Sequence, residues 1–440
     1  MGTATGSYRN LFREPGYFRV LTAGIGSVGG SAISGICTIW IVARATGSTL
    51  DVAGLATAAL VAGILFSLIG GTLVDRYDRR WLMVISDLVR ATTIALLVID
   101  LEVVGFNLWV FLAANFVVSA WSTVFNPAEQ AVVPSLVGVA LVPDANGLIR
   151  SSRATIGFAG TALAGALIVT IGPVAGLATN VATFLFSASL LVGVSVASPR
   201  RAARTGSARS SYFADLKEGF RWLRKARGLL ELTVSAGFFN FCSTIVGTFL
   251  VFFATVVLHG SALLFASLLA AEVAGAGIGS LLVSRVGAVR WAGKAWVLSY
   301  GVASGGVTIL LALVPVPAVS IAALFALGLF GGFAGTAWLS AAQLLVPSEM
   351  QGRYFGIDSL GSWAIIPAGQ LGGALIIAVI GIAPAYLLAG VIWVVAGLLF
   401  LGARAMWRLS YPPDPRDVAR YRTAGAVSGT PGLPGGSRSG

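Results

Sequence analysis

Twelve apolar runs of roughly 20 residues divide this chain, and about 20 apolar residues is what a helix needs to cross a bilayer core. They lie near 18–43, 52–74, 81–101, 107–128, 147–170, 174–197, 230–257, 262–284, 295–314, 318–342, 355–380 and 383–404. The fifth and eleventh are the weakest, being rich in Gly, Ser and Thr. Backbone groups in lipid must be satisfied within their own segment, so the runs are expected to be helices and the fold class all-α membrane protein. Of the 440 residues, 57% are hydrophobic and only 10% charged. A soluble domain carries about a quarter charged residues, and a chain this apolar could not hide its surface from water. The 56 glycines fit the same reading, because small residues let membrane helices approach closely.

Charge placement sets the orientation. The net charge is +12, which in a soluble protein would point to nucleic acid. Here the cations cluster at Arg9, Arg13 and Arg19; at Arg76, Arg79 and Arg80; at Arg150 and Arg153; from Arg200 to Arg227; at Arg285, Arg290 and Lys294; at Arg353; and from Arg404 to Arg438. All of these flank the runs on one side. Arg90 lies within the third run on that same half, and of the 29 Lys and Arg residues Arg44 alone falls at the opposite end. By the positive-inside rule that side is cytoplasmic. The expectation is a multi-pass protein of a bacterial inner (cell) membrane with both termini cytoplasmic and no nucleic-acid partner. Its basic balance reports topology and contact with anionic lipid. No cleavable signal peptide is evident in the polar stretch Met1 to Arg19.

The longest interruption, 198–229, splits the runs into two sets of six. Its first part reads as a flexible linker. Its second part places Phe213, Leu216, Phe220 and Leu223 near one helical face, with Lys217, Arg221 and Arg224 elsewhere, as in an amphipathic helix lying on the membrane surface. The organisation expected is therefore an N-terminal bundle over 1–197, a cytoplasmic linker over 198–229, a C-terminal bundle over 230–404 and a disordered tail over 405–440. The two sets repeat. Gly-Gly-Thr-Leu-Val-Asp-Arg at 70–76 returns as Gly-Ser-Leu-Leu-Val-Ser-Arg at 279–285; 128–135 returns at 341–348, and 164–168 at 372–376. The offsets of 209, 213 and 208 residues indicate a duplicated six-helix unit.

The loop after the second run reads Gly71-Thr-Leu-Val-Asp75-Arg76-Tyr-Asp78-Arg79-Arg80. It resembles the signature loop of the major facilitator superfamily, Gly-x-x-x-Asp-Arg-x-Gly-Arg-Arg/Lys, and the resemblance extends from about residue 15 to 405. Asp78 in place of glycine, Asp87-Leu-Val-Arg90-Ala, an Asn126-Pro127-Ala128 turn with Pro134, and Asp215-Leu-Lys-Glu-Gly-Phe-Arg-Trp are similar to one subgroup, the proton-coupled exporters of drugs, macrolides and siderophores. The resemblance implies two six-helix bundles around one cavity that opens alternately to each side. It implies export of a hydrophobic or amphipathic small molecule against protons, with the proton gradient as energy source and no cofactor. It also makes Gly71, Asp75, Arg76, Asp78, Arg79 and Arg80 a conformational latch. An acid at a helix end beside arginines can pair with them or with a neighbouring helix N-terminus; the alternative is a solvated charged turn that serves topology only. In the second half Ser284 replaces the acid.

Charges within the membrane cost roughly 2.5–3.5 kcal/mol each at a helix centre on insertion scales, so each needs a reason. Glu272 lies about twelve residues before the basic end of the eighth run, roughly 18 Å at 1.5 Å per residue. It is followed by Gly275, Gly277 and Gly279. Its position suits a proton-coupling acid or, equally, a structural carboxyl. Asp87 and Arg90, three apart on one helical face, read as an internal ion pair bracing the inner gate. Glu129, Arg150, Arg153 and Asp358 also lie near inner ends and are expected to join salt bridges between the halves or to mark their interface. Asn115, Asn180, Asn240, Gln343 and Gln370 either line the cavity or bond to neighbouring helices. Trp40, Trp121, Phe238, Phe239 and Trp338 are candidates for a greasy substrate wall.

Gly157, Thr161 and Gly165 form a small-residue stripe repeated by Gly369 and Gly373. The exporter motif at that place runs Gly-Pro-x-x-Gly-Gly; Thr161 and Ala164 depart from it, which counts against export. Cys37 and Cys242 read as core residues, and the single histidine, His259, allows no histidine-based metal cluster or triad. No phosphate-binding loop ends in Gly-Lys-Ser/Thr, so direct use of ATP and enzymatic chemistry are not expected. A monomer is expected. The alternatives to export are an uptake permease for a sugar, amino acid or other metabolite, and a transport-inactive sensor on the same fold.

Overall fold

The computed structural model describes residues 11–138, 141–194, 220–287, 291–346, 354, 357–358 and 365–407, and leaves the side chains of 67–72, Asp75, Pro143, Arg150, Ala154 and Ser284 outside that description. Every long element among the described residues is a helix. The first half holds α1 (Pro15–Thr46), α2 (Thr49–Arg76), α3 (Arg79–Val103), α4 (Leu108–Val137), α5 (Val142–Thr170) and α6 (Pro173–Val192). In the second half, α7 (Arg227–Thr248) continues through Leu250–Phe252 into a π-helical turn, Phe253–Val257. Then come α8 (Ala262–Val286) and α9, which is built from Ala292–Ala295, a π-helical turn Trp296–Ala303 and Ser304–Leu313. The series closes with α10 (Pro317–Leu345), α11 (Ile366–Ile380), α12 (Ile382–Leu401) and the short α13 (Arg404–Trp407).

Eleven of these are long and apolar enough to cross a membrane, and α11 is described over 15 residues only. The start of the run expected at 355–380 falls outside the described residues at 355–356 and 359–364, as do the linker up to 219 and the tail after 407. Two departures from the sequence reading have physical causes. Asn126-Pro127-Ala128 is not a turn: α4 runs on to Val137 with Pro127 and Pro134 inside it. A proline forfeits one helical hydrogen bond, and neighbouring membrane helices make that tolerable. The small-residue stripe of α5 does not face one partner. Gly157 faces Val28 on α1, whereas Gly165 meets Ala262 and Ala266 on α8. Gly160, outside the stripe, makes the closest approach to α1, at Gly29 and Ala32.

The duplication is visible in the packing. In the first half α1 packs on α5 and α6, α2 on α4, and α3 on α4 and α6; in the second α7 packs on α11 and α12, α8 on α10, and α9 on α10 and α12. The three repeated sequence segments fall, as far as they are described, on the helix pairs α2/α8, α4/α10 (341–345 of the second copy) and α5/α11. Between the halves α5 packs on α8 and α2 on α11, two interfaces that exchange under the same pseudo-symmetry.

Within the second half, glycines set the tightest contact. Gly275 and Gly279 of α8 lie on the backbone of Phe325 and Leu329, while Gly328 and Gly332 of α10 lie on the backbone of Glu272 and Ala276. A side chain at any of the four would overlap a facing carbonyl, so the two helices touch backbone to backbone. Gly277, on the other face, meets open space.

Candidate functional site

The alternation of helices puts the start of α1, α3, α5, α7, α9 and α11 at one end, with the basic clusters; among the described residues, the contacts that join the halves sit toward the other. Thr49 Oγ1 donates to the Ala374 carbonyl at 3.2 Å, and Thr57 Oγ1 donates to Oε1 of Gln370 at 3.1 Å, both linking α2 to α11. Trp40 of α1 stacks on Phe265 of α8 with centroids 6.3 Å apart. Gly165 against Ala262 and Ala266 completes the seam between α5 and α8. Gln370 is thus a bond between halves. Asn115 instead donates to the Leu55 carbonyl within the first half, at 2.7 Å. Asn180 is buried there beside Asn115, lining a small polar void of about 80 Å³.

The signature loop is held within its own half. Asp78 does more than replace a glycine: it is the N-cap of α3, its Oδ1 accepting the Arg80 backbone N–H at 2.9 Å. Arg79 donates to the Ala131 carbonyl of α4 at 2.9 Å, and Arg80 donates to the Val192 carbonyl at the end of α6. Arg19 does the same for Gly193, so two arginines satisfy carbonyls that the last turn of α6 leaves open. Arg76 is exposed. The side chains of Gly71 and Asp75 lie outside the described residues.

Four charges gather in the interior of the first bundle. Arg90 is paired with Asp87 one turn away on α3, and Arg153 of α5 with Glu129 of α4. The pairs are close enough to influence each other, which makes a group of two acids and two bases with no net charge. Asp87 also accepts from Ser187 of α6. Arg90 lies over the rings of Phe184 and Phe125, 4.3 and 4.8 Å from their centroids, and bonds to the Ser86 carbonyl. Gly24 of α1 leaves the space that Glu129 occupies; a methyl there would come within 2.7 Å of the carboxylate. The group therefore ties α1, α3, α4, α5 and α6 together. Glu129 and Arg153 find each other inside one bundle, not across the two, because α4 and α5 are neighbours there. Asp358 likewise accepts from Thr233 of α7 in its own half, at 2.7 Å. Arg150 lies outside the described side chains.

In the second bundle a pocket of about 270 Å³ opens between α7, α9 and α10. Trp296, Tyr300 and Trp338 form its walls, and Asn240 and Asp358 supply its polar edge. The π-helical turn of α9 puts Trp296 and Tyr300 on the same wall, and such turns recur at functional sites. The Trp296 indole donates to Ser235 at 2.9 Å, whereas the buried Trp338 indole N–H has no acceptor among the described residues. Glu272 sits near the middle of the 25-residue α8, half-buried, within electrostatic range of Tyr300 and Tyr386. Among the described residues its carboxylate makes no ion pair.

Of the aromatics singled out from sequence, Trp338 reaches this pocket. Phe239 is buried behind it, Phe238 faces outward, Trp121 packs in the first bundle and Trp40 belongs to the seam. Trp296 and Tyr300 were not among them; their spacing of four in an apolar run was the available signal. Cys37 and Cys242 are free and buried, and no group of three metal-binding side chains occurs among the described residues.

The family described as transmembrane secretion effector matches residues 10–412. The chain belongs to that family, a branch of the major facilitator superfamily. This facilitator is a multi-pass membrane protein with a transporter fold. It is 25% identical over 224 residues to the uncharacterized MFS-type transporter YvqJ of Bacillus subtilis (strain 168), which covers 50% of the chain and 53% of YvqJ. It is 26% identical over 214 residues to macrolide efflux protein A of Streptococcus pyogenes, 48% of the chain and 52% of that protein. The facilitator thus spans about half the length of both relatives. A D-xylose-proton symporter structure superposes with a TM-score of 0.66 at 13% identity, over 91% of the chain and 98% of the symporter, and shares the fold.

Proposed function

We propose that this transporter exports a hydrophobic or amphipathic small molecule from the cytoplasm in exchange for protons. The observation that carries the reading is the pocket walled by Trp296, Tyr300 and Trp338, with one carboxylate and one unused indole donor at its edge. A largely apolar concavity with few polar groups is the usual form of a small-molecule site. The partial likeness to a macrolide efflux protein favours the same class of cargo. The described contacts between the halves, at the end away from the basic clusters, are consistent with loading from the basic side. Glu272, half-buried mid-helix and without an ion pair among the described residues, is the proton carrier in this scheme, and Asp75 with Arg76, Arg79 and Arg80 the latch. Inverted membrane vesicles test it. An exporter loads a radiolabelled macrolide into them under an inside-acid gradient, and collapse of the gradient releases it. Vesicles that lose preloaded macrolide faster under that gradient would identify an importer, and vesicles that move nothing a sensor.

A further inference from the structure

A second concavity, about 850 Å³, lies on the flank of the C-terminal bundle near its basic end. Its walls are apolar: Phe220 and Leu223 from the end of the linker, Leu230, Val234 and Phe238 from α7, and Ile392 from α12. Phe220, Val234, Phe238 and Ile392 are each 40–54% exposed, so the groove opens sideways, where the bilayer lies. The linker end is fixed in place. Residues 220–225 are helical, Trp222, Leu223 and Ala226 are buried, and the Trp222 ring meets Tyr354 edge-on at 6.3 Å. The same short stretch that supplies two walls of the groove carries Arg221, Arg224, Lys225 and Arg227, all exposed. Glu231 makes no ion pair with them among the described residues; its carboxylate accepts the Met406 N–H at 2.8 Å.

An apolar slot that opens sideways, walled in part by a stretch carrying four exposed cations, suits a molecule with an apolar chain and an anionic head. We infer that this groove is a specific site for an anionic phospholipid, its acyl chain in the slot and its phosphate on Arg221, Arg224, Lys225 and Arg227. Basic clusters at the cytoplasmic surface attract anionic headgroups, and the slot adds an apolar contact that ordinary annular lipid lacks. Thr233 lies on the groove floor and donates to Asp358, which edges the interior pocket, so the bound chain rests one hydrogen bond away from that pocket. The inference stands whatever cargo the transporter carries.

Native mass spectrometry of the delipidated full-length protein tests it, with palmitoyl-oleoyl phosphatidylglycerol and the matching phosphatidylcholine as probes. The wild type is expected to retain one phosphatidylglycerol at least fivefold better than phosphatidylcholine. Replacing the four cations together with Gln should bring that ratio close to one, and Val234→Trp should lower retention of both lipids by filling the slot from the membrane side. Equal retention of the two lipids by the wild type overturns the site as nothing more than annular lipid. Wild-type preference persisting in the Gln variant, or unchanged retention in Val234→Trp, overturns it too. Melting temperatures check folding; should the fourfold variant unfold, Arg224→Gln alone decides, with at least a twofold loss of preference expected and an unchanged ratio counting against the site.

Discussion

The Thr57 hydroxyl donates to Oε1 of Gln370 at 3.1 Å and so bonds α2 of one bundle to α11 of the other. A neutral hydrogen bond contributes about 1 kcal/mol net, or roughly a fivefold bias between two conformations. Thr57→Val keeps the shape and removes the bond. The seam away from the basic end should then open about fivefold more often. An Ala262→Cys reporter, buried in that seam, should react correspondingly faster with an impermeant thiol reagent, against a background in which Cys37 and Cys242 stay buried. An unchanged labelling rate would show that the bond does not bias closure.

The four-charge group predicts a different pattern. Removing one partner of a buried ion pair strands the other and costs about 3–5 kcal/mol, whereas neutralising both is far milder. Arg90→Gln alone should therefore lower the yield of folded transporter sharply in detergent, and the double change Asp87→Asn with Arg90→Gln should recover much of it. Asp87 also holds Ser187, so recovery should be partial. Fluorescence-detected size exclusion after graded heating reads both effects. A double variant no better than Arg90→Gln alone would remove the pair from the account of stability.

Glu272→Gln keeps the size of the side chain and fixes it in a form that cannot release a proton. Accumulation of macrolide driven by a pH gradient should vanish in reconstituted vesicles, while counterflow of labelled against unlabelled macrolide continues. Loss of both activities would assign Glu272 a structural role, and retention of both would remove it from coupling.

How much of this was legible beforehand follows from what each signal encodes. Hydropathy carries span positions, and all twelve runs correspond to helices, wholly or in their described part; the duplicated segments carry the pairing of helices, and they fall on equivalent elements. Helix rotation is another matter. A segment such as α12, apolar on every face, gives no sign of which side packs inward. Asp87 and Arg90 could be placed together because charge marks them; Glu129 and Arg153 could not, since which helices neighbour each other decides whether a pair forms within a bundle or across two. Trp296 and Tyr300 share a helical face by their spacing of four, but nothing in the residues says that this face of α9 looks into a pocket or that a π-helical turn begins there. Asp78 carried a readable sign, an acid just before a helix start, which is the chemistry of an N-cap as well as a departure from the family's glycine.

Gly277 on the open face of α8 and Gly328 of α10 against its packed face predict opposite outcomes for the same chemical change. Gly→Ala in a helix whose new methyl fits restricts the unfolded chain and favours the helix by up to about 1 kcal/mol. Gly277 meets that condition, since a methyl there enters open space. Gly328, across from α8 on α10, does not: its methyl would drive into the backbone of Glu272, which cannot move without separating the two helices. Gly277→Ala should leave the melting temperature equal or slightly higher, and Gly328→Ala should lower it by several degrees. Because the displaced backbone is that of Glu272, Gly328→Ala should also weaken proton-driven transport more than counterflow. Thermal melts of the two variants in one detergent, followed by the paired transport assays, check both parts; equal melting temperatures would show that α8 and α10 do not rely on backbone contact.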